Sequence, residues 1–250
     1  MKRLLALLLA AGLVLMLGGC RTAEPAETEP TAAVTEWTTL PTIPATLPTI
    51  PSTEESASVP VTEPDLAEDA FVRVTKYIPE IRQELRYATD NNFTGQKIYD
   101  FPDVYLRWGT VKKLRAVSDE LAELGLGLKI WDGFRPVSAQ FRLWQVCPDP
   151  TYVANPEKGF SSHSRGNTVD LTLVDLEGNE LEMPTGFDDF TAKADRDYSD
   201  CSETAAENAR LLESVMEKYG FSGYFGEWWH YTDTQDYPVE EVFEPPVSLG

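Results

Sequence analysis

Gly166-Asn167-Thr168-Val169-Asp170-Leu171-Thr172-Leu173-Val174-Asp175-Leu176-Glu177-Gly178-Asn179 is the run that decides the fold class. Residues 167–174 are β-rich, and Asp175 to Asn179 carries turn chemistry. A strand, a turn and a hairpin return through Glu180 to Met183 are therefore expected. Upstream, Leu126 to Trp131 alternates like a strand and runs into Asp132-Gly133-Phe134-Arg135-Pro136. Downstream, the aromatic stretch Gly226 to Tyr231 has the character of a last strand. Helical spacing occurs between these strands. Val111, Leu114, Val117, Leu121 and Leu124 predict a helix over Thr110 to Gly125, with Thr110 as N-cap and Gly125 past its end. Ser138 to Val146 is a second helix, carrying Phe141, Leu143 and Trp144. Cys201 to Tyr219 is a third, capped by Asp200 or Ser202, with Leu211, Leu212, Val215 and Met216 as its stripe and Gly220 as its stop. Intermixed helices and strands with a hairpin predict a single α+β domain, built on a mostly antiparallel central sheet flanked by helices.

Residues 70–250 make up that domain, enough chain for one proper core. Two segments of different character precede it. Lys2 and Arg3 begin a short basic stretch, an apolar run of 14 residues follows from Leu4 to Leu17, and Gly18-Gly19-Cys20 closes the segment. Spanning a bilayer takes roughly 20 apolar residues, so residues 1–20 fit a secretory signal better than an anchor helix. Leu17-Gly18-Gly19-Cys20 also resembles a bacterial lipobox. That resemblance implies acylation of Cys20 and attachment to the outer face of the cell membrane; two acyl chains would hold stably. Residues 21–69 are rich in Thr, Pro, Glu and Ala, and Thr39-Leu40-Pro41-Thr42-Ile43-Pro44 recurs as Thr46-Leu47-Pro48-Thr49-Ile50-Pro51. Proline at that frequency forbids regular structure, leaving an extended spacer or plain disorder.

The chain carries a net charge of −20, and the domain holds 18 basic against 31 acidic groups. Nucleic acid and anionic membrane surfaces are thereby disfavoured as partners. Besides Cys20 there are two cysteines, Cys147 and Cys201. In an oxidising compartment they form either a disulfide or two unrelated thiols.

The two histidines, His163 and His230, each lie in a dense chemical setting. The first belongs to Ser161-Ser162-His163-Ser164-Arg165-Gly166-Asn167-Thr168-Val169-Asp170, the second to Gly226-Glu227-Trp228-Trp229-His230-Tyr231. A catalytic zinc site uses three N or O ligands and keeps one position open; His163, Asp170 and His230 supply such a set. Glu227 is then the carboxylate placed to take a proton from the attacking water. Residues three apart on an ideal strand face opposite ways, so convergence of Glu227 and His230 requires a bulge or tight turn around Trp228-Trp229. Spacing alone leaves a hydrogen-bonded His–Asp pair and an aromatic core strand equally open. Iron or manganese would also suit two histidines and a carboxylate.

Ser161 to Leu173 together with Glu227 to Tyr231 strongly resembles the VanX-type D-alanyl-D-alanine dipeptidases known from vancomycin resistance. Arg86-Tyr87-Ala88-Thr89-Asp90-Asn91-Asn92-Phe93-Thr94-Gly95, Asp132-Gly133-Phe134-Arg135-Pro136 and Met183-Pro184-Thr185-Gly186-Phe187-Asp188 match further blocks of that family, in order. The resemblance implies one zinc per chain on His163, Asp170 and His230, with Glu227 as general base. It implies that Arg135 meets the developing oxyanion. It also implies that Asp188 and Ser161 hold the free ammonium of D-Ala-D-Ala, with Tyr87 lining the pocket. The best-known members act inside the cell, whereas this chain's leader points outward, which suits cell-wall peptide turnover. A zinc D,D-carboxypeptidase trimming stem peptides, and a non-catalytic lipid-anchored binding protein, are the competing expectations. Intact Glu227 and Arg135 weigh against mere binding, and a Ser or Cys triad lacks a histidine to serve it.

Overall fold

The computed structural model describes residues 65–247. The expected leader, Cys20 and residues 21–64 of the linker lie outside the described residues. The domain starts slightly earlier than position 70. Gly109 N donates to Glu68 O and the Arg107 guanidinium to Asp69 O, so residues 68 and 69 belong to the folded unit.

Five strands form the main sheet: β2 (Arg82–Gln83), β4 (Leu126–Asp132), β5 (Thr168–Asp175), β7 (Glu227–Asp233) and β6 (Phe221–Tyr224), in that spatial order. Only β2 pairs in parallel; the other neighbours are antiparallel. A separate antiparallel ribbon joins β1 (Phe71–Arg73) to β3 (Tyr105–Arg107). Four helices complete the domain: α1 (Val74–Tyr77), α2 (Trp108–Glu123), α3 (Val137–Val146) and α4 (Glu203–Lys218). The expected α+β architecture is therefore the observed one.

Both long helices follow their apolar spacing onto the sheet. On α2, Val111, Leu114, Val117 and Leu121 are fully buried; on α4, Leu212 and Met216 are, and Val215 is buried beside them. The two helices pack against each other and against β4 and β6. Their ends differ from expectation. Helix α2 begins at Trp108, so Thr110 lies inside it, and its hydroxyl donates to the buried Asp233 carboxylate at 2.8 Å. Leu124 is the C-cap of α2 and is exposed, because the left-handed Gly125 (φ +74°) has already turned the chain. Ser202 caps α4, accepting from Ala205 N at 3.1 Å, which leaves Cys201 outside the helix. Phe141 on α3 is exposed while Leu143 is buried. Cys147 and Cys201 are both free thiols; Cys201 Sγ turns back to Tyr198 O at 3.5 Å.

The hairpin after β5 is reduced to one bridge, Val174 to Glu180, with Leu181 N also donating to Leu173 O. Two irregularities in the sheet matter more. Between the pairs Ile130–Leu171 and Asp132–Asp170, β4 advances two residues and β5 one. Between Gly223–Tyr231 and Tyr224–Glu227, β6 advances one residue and β7 four. Trp228, Trp229 and His230 thus form the bulge that the Glu227/His230 spacing demanded, and both tryptophans are buried in it.

Gly166 ends the turn carrying His163, at φ +77°, and a Cβ there would strike the Phe71 ring. Gly125 has a similar φ, with nothing within 4 Å of such a Cβ. Gly125→Ala should therefore cost only the left-handed penalty, about 1–2 kcal/mol. Gly166→Ala should cost roughly 2–5 kcal/mol, since overpacking adds to the same strain. Thermal unfolding of the two variants checks this; equal losses would contradict the Phe71 contact.

Candidate active site

Three chain segments bring the expected metal donors together. His163 lies in a short 3-10 turn, Ser162–Arg165, whose N-cap Ser161 accepts from His163 N at 3.3 Å. Asp170 stands on β5 and His230 directly opposite on β7. Alternation along β5 places Thr168, Asp170 and Thr172 on one face and Val169, Leu171 and Leu173 on the other, so the Asp170 carboxylate faces away from the leucines.

The donor atoms of His163, Asp170 and His230 all lie within 4.8 Å of one another. His163 Nε2 is 3.4 Å from Asp170 Oδ2, and His230 Nδ1 is 3.0 Å from Asp170 Oδ1. His163 Nδ1–H donates to Gly133 O at 2.8 Å, which fixes the tautomer and leaves Nε2 as a lone-pair donor. Two imidazole nitrogens and a carboxylate, converging with the His163 tautomer set, fit zinc. Burial alone opposes the charge on Asp170, yet His163 and His230 outweigh it and hold the carboxyl well below its ordinary range.

Around this cluster lies a cavity of about 270 Å³ lined by every site residue named from the sequence. Glu227 reaches its rim, with Oε2 3.7 Å from His230 Nδ1. Burial lifts its carboxyl above the ordinary value, with His230 working against the shift and Asp170 with it. Arg135 is buried, and its guanidinium pairs with Asp132 and donates to Gln140 Oε1 at 2.9 Å. Burial opposes that cation, but Asp132 more than compensates, so Arg135 stays charged. The Arg135 backbone joins the histidine turn too: Arg135 N donates to His163 O, and Ser164 Oγ to Arg135 O.

Tyr87 and Asp188 close the far wall. The Tyr87 hydroxyl donates to Asp188 Oδ2 at 3.0 Å, and the Arg135 guanidinium lies 4.9 Å from the Tyr87 ring centre. Asp188 occupies left-handed backbone at φ +58°, which few non-glycine residues adopt. Burial pushes its carboxyl well above the ordinary range, Asp170 adds to that, and Tyr87 and Arg135 only partly offset it. Such a carboxyl is short of a cation. Its loop is held by Trp228 Nε1, which donates to Thr185 Oγ1 at 2.9 Å.

Sequence reasoning missed Asp132, although it stands in the quoted arginine motif. Its carboxylate accepts from Tyr99 Oη at 2.9 Å, from Gly133 N at 3.0 Å and from Arg135 Nε at 3.0 Å. A carboxylate three residues before a buried arginine was the available signal. Tyr152, Phe160, Phe190 and Tyr224 also line the cavity, and no motif marked them.

Comparison with known proteins agrees with this geometry. The Peptidase_M15 family model, described as D-ala-D-ala dipeptidase, matches residues 67–247. A D-alanyl-D-alanine dipeptidase of Escherichia coli (strain K12) is 41% identical over 184 residues, covering 72% of this chain and 94% of its own length. One from Enterococcus faecalis (strain ATCC 700802 / V583) is 35% identical, over 66% of this chain and 91% of its own. One from Enterococcus faecium is 32% identical, over 72% of this chain and all of its own. With a family match across nearly the whole folded unit and relatives covered almost end to end, this chain belongs to the D-ala-D-ala dipeptidase family of peptidases.

Proposed function

We propose that this peptidase hydrolyses the D-Ala-D-Ala dipeptide with zinc held by His163, Asp170 and His230. The observation that supports it most is one small cavity shared by the metal donors, a buried cation and two acids of raised pKa. Its volume of about 270 Å³ falls below the roughly 300–1,000 Å³ of pockets for drug-sized ligands, as suits a small substrate.

Zinc at these donors supplies Lewis acidity, which polarises a carbonyl and makes water a nucleophile at neutral pH. The remaining work falls to the chain's own groups. Glu227 takes the proton of the attacking water and passes it to the leaving amine; its raised pKa brings it closer to working pH. Arg135, locked by Asp132 and Gln140, meets the oxygen that gains charge. Asp188, oriented by Tyr87, pairs with the substrate ammonium, and Ser161 borders the same pocket. An acylated N-terminus would leave Asp188 without its cation, so selection for a free dipeptide follows from the desolvation cost.

The location rests on the leader. We propose that Cys20 is lipidated and that the enzyme works at the outer face of the bacterial membrane, in cell-wall peptide turnover. The linker ahead of Glu68 then forms the spacer.

Four outcomes are expected. The purified full-length protein with zinc should release D-alanine from free D-Ala-D-Ala and not from an N-acylated peptide ending in D-Ala-D-Ala. Glu227→Ala should be inactive on both. Cleavage of the acylated peptide at an equal or higher rate would make this a carboxypeptidase and remove the ammonium role of Asp188. Arg135→Ala should lower kcat by about 10²–10³-fold with little change in metal content; a loss confined to KM would argue against the oxyanion role. Cys20→Ala, expressed in a bacterial host, should move the protein out of the membrane fraction. Recovery of the unaltered protein from the cytosol would end the export proposal.

A further inference from the structure

Arg196 takes no part in the chemistry above, yet its side chain is 6% exposed and every polar atom it carries is engaged. It lies in a loop between Asp195 and Asp197, beyond the Asp188 loop and well before β7 in sequence. Its Nε donates to Tyr224 O at 2.9 Å. One terminal nitrogen donates to both Trp228 O and His230 O at 3.0 Å. The other donates to Tyr231 Oη at 3.1 Å and pairs with Glu213 on α4 at 3.2 Å. Arg196 N adds a bond to Phe225 O at 3.0 Å. One residue therefore binds four carbonyls of the β6–β7 hairpin, and its guanidinium lies 4.4 Å from the Tyr231 ring centre.

Two of those carbonyls, Trp228 O and His230 O, belong to the bulge. Between the pairs Gly223–Tyr231 and Tyr224–Glu227, the β6 ladder leaves Trp228, Trp229 and His230 unpaired. Buried backbone oxygens without donors would each cost a lost hydrogen bond, so the bulge that lets Glu227 and His230 converge is unfavourable by itself. A guanidinium, with donors in a rigid fork, can serve several carbonyls at once where an ammonium serves fewer. Gly223 is part of the device: a Cβ there would run into the Arg196 guanidinium.

We infer that Arg196 is a positioning residue, which holds the Glu227–His230 bulge in the geometry that metal binding and proton transfer require. This rests on the zinc peptidase reading of the site, and acts through the Trp228 and His230 backbone. Loss of Arg196 should loosen the metal as well as slow catalysis, because His230 would no longer be fixed. Residues that orient metal ligands typically contribute about 10–100-fold in metal affinity or activity.

The test uses the full-length protein, unaltered and as Arg196→Ala, Arg196→Lys and Gly223→Ala. Metal affinity is read by competition with a chelator, ligand geometry by the visible spectrum of the cobalt(II)-substituted form, and folding by circular dichroism. Kinetics on D-Ala-D-Ala separate kcat from KM. Arg196→Ala should lose about 10–100-fold in metal affinity, alter the cobalt spectrum and lower kcat more than it raises KM. Arg196→Lys should recover part of each loss, and Gly223→Ala should reproduce part of the defect by displacing an intact guanidinium. Folded variants with unaltered affinity, spectrum and kcat would overturn the inference. So would a failure of all three to fold, since Arg196 would then support the whole domain instead of the site. An unaltered protein that binds no metal and cleaves nothing would instead sink the peptidase reading beneath it.

Discussion

Asp170 and His230 face each other across the β5–β7 ladder, and that pairing sets two of the three metal donors by backbone hydrogen bonds alone. Directly opposed residues in an antiparallel pair have Cβ atoms about 4.5–5.5 Å apart on the same face. Few side-chain arrangements are as well determined. A slip of one residue would turn Asp170 into the leucine layer and His230 out of the cavity. Everything else converges on this pair. The histidine turn is pinned through Gly133 and Arg135, the arginine through Asp132, and the Asp188 loop through Trp228.

The cavity also has a charge problem that explains its chemistry. Asp132, Asp170, Asp188 and Glu227 lie in or beside it, and Arg135 is the one Lys or Arg among its lining residues. Asp132 claims most of Arg135. Isolated buried carboxylates are costly and neutralise where they can, as the raised Asp188 and Glu227 pKa values reflect. A divalent ion beside Asp170 and an ammonium beside Asp188 would restore the balance.

Much of this was legible in the chain. Apolar spacing marked α2 and α4, and the β-rich run marked β5, because each buries one regular stripe. The demand for a bulge between Glu227 and His230 followed from strand alternation, and three residues supply it. Helix ends were less legible, since Thr110 has the look of a cap but satisfies buried Asp233. Strand β6, four residues containing Ser222 and Gly223, has no alternation to detect. Among site residues, those in compact motifs could be named, and those defined only by the fold could not. Arg196 is flanked by two aspartates, like an ordinary solvated charge, and only tertiary contact reveals its four carbonyl partners.

The order of strands has a consequence in time. Strand β7 is the last described strand in sequence but lies inside the sheet, between β5 and β6. A chain emerging from its N-terminus can form β4 and β5 early, with Asp170 beside His163, yet it still lacks His230 and Glu227. Both arrive in the same step, when β7 closes onto β5. Hydrolytic competence is thus withheld until synthesis has passed residue 230, and an unfinished chain is inert by construction.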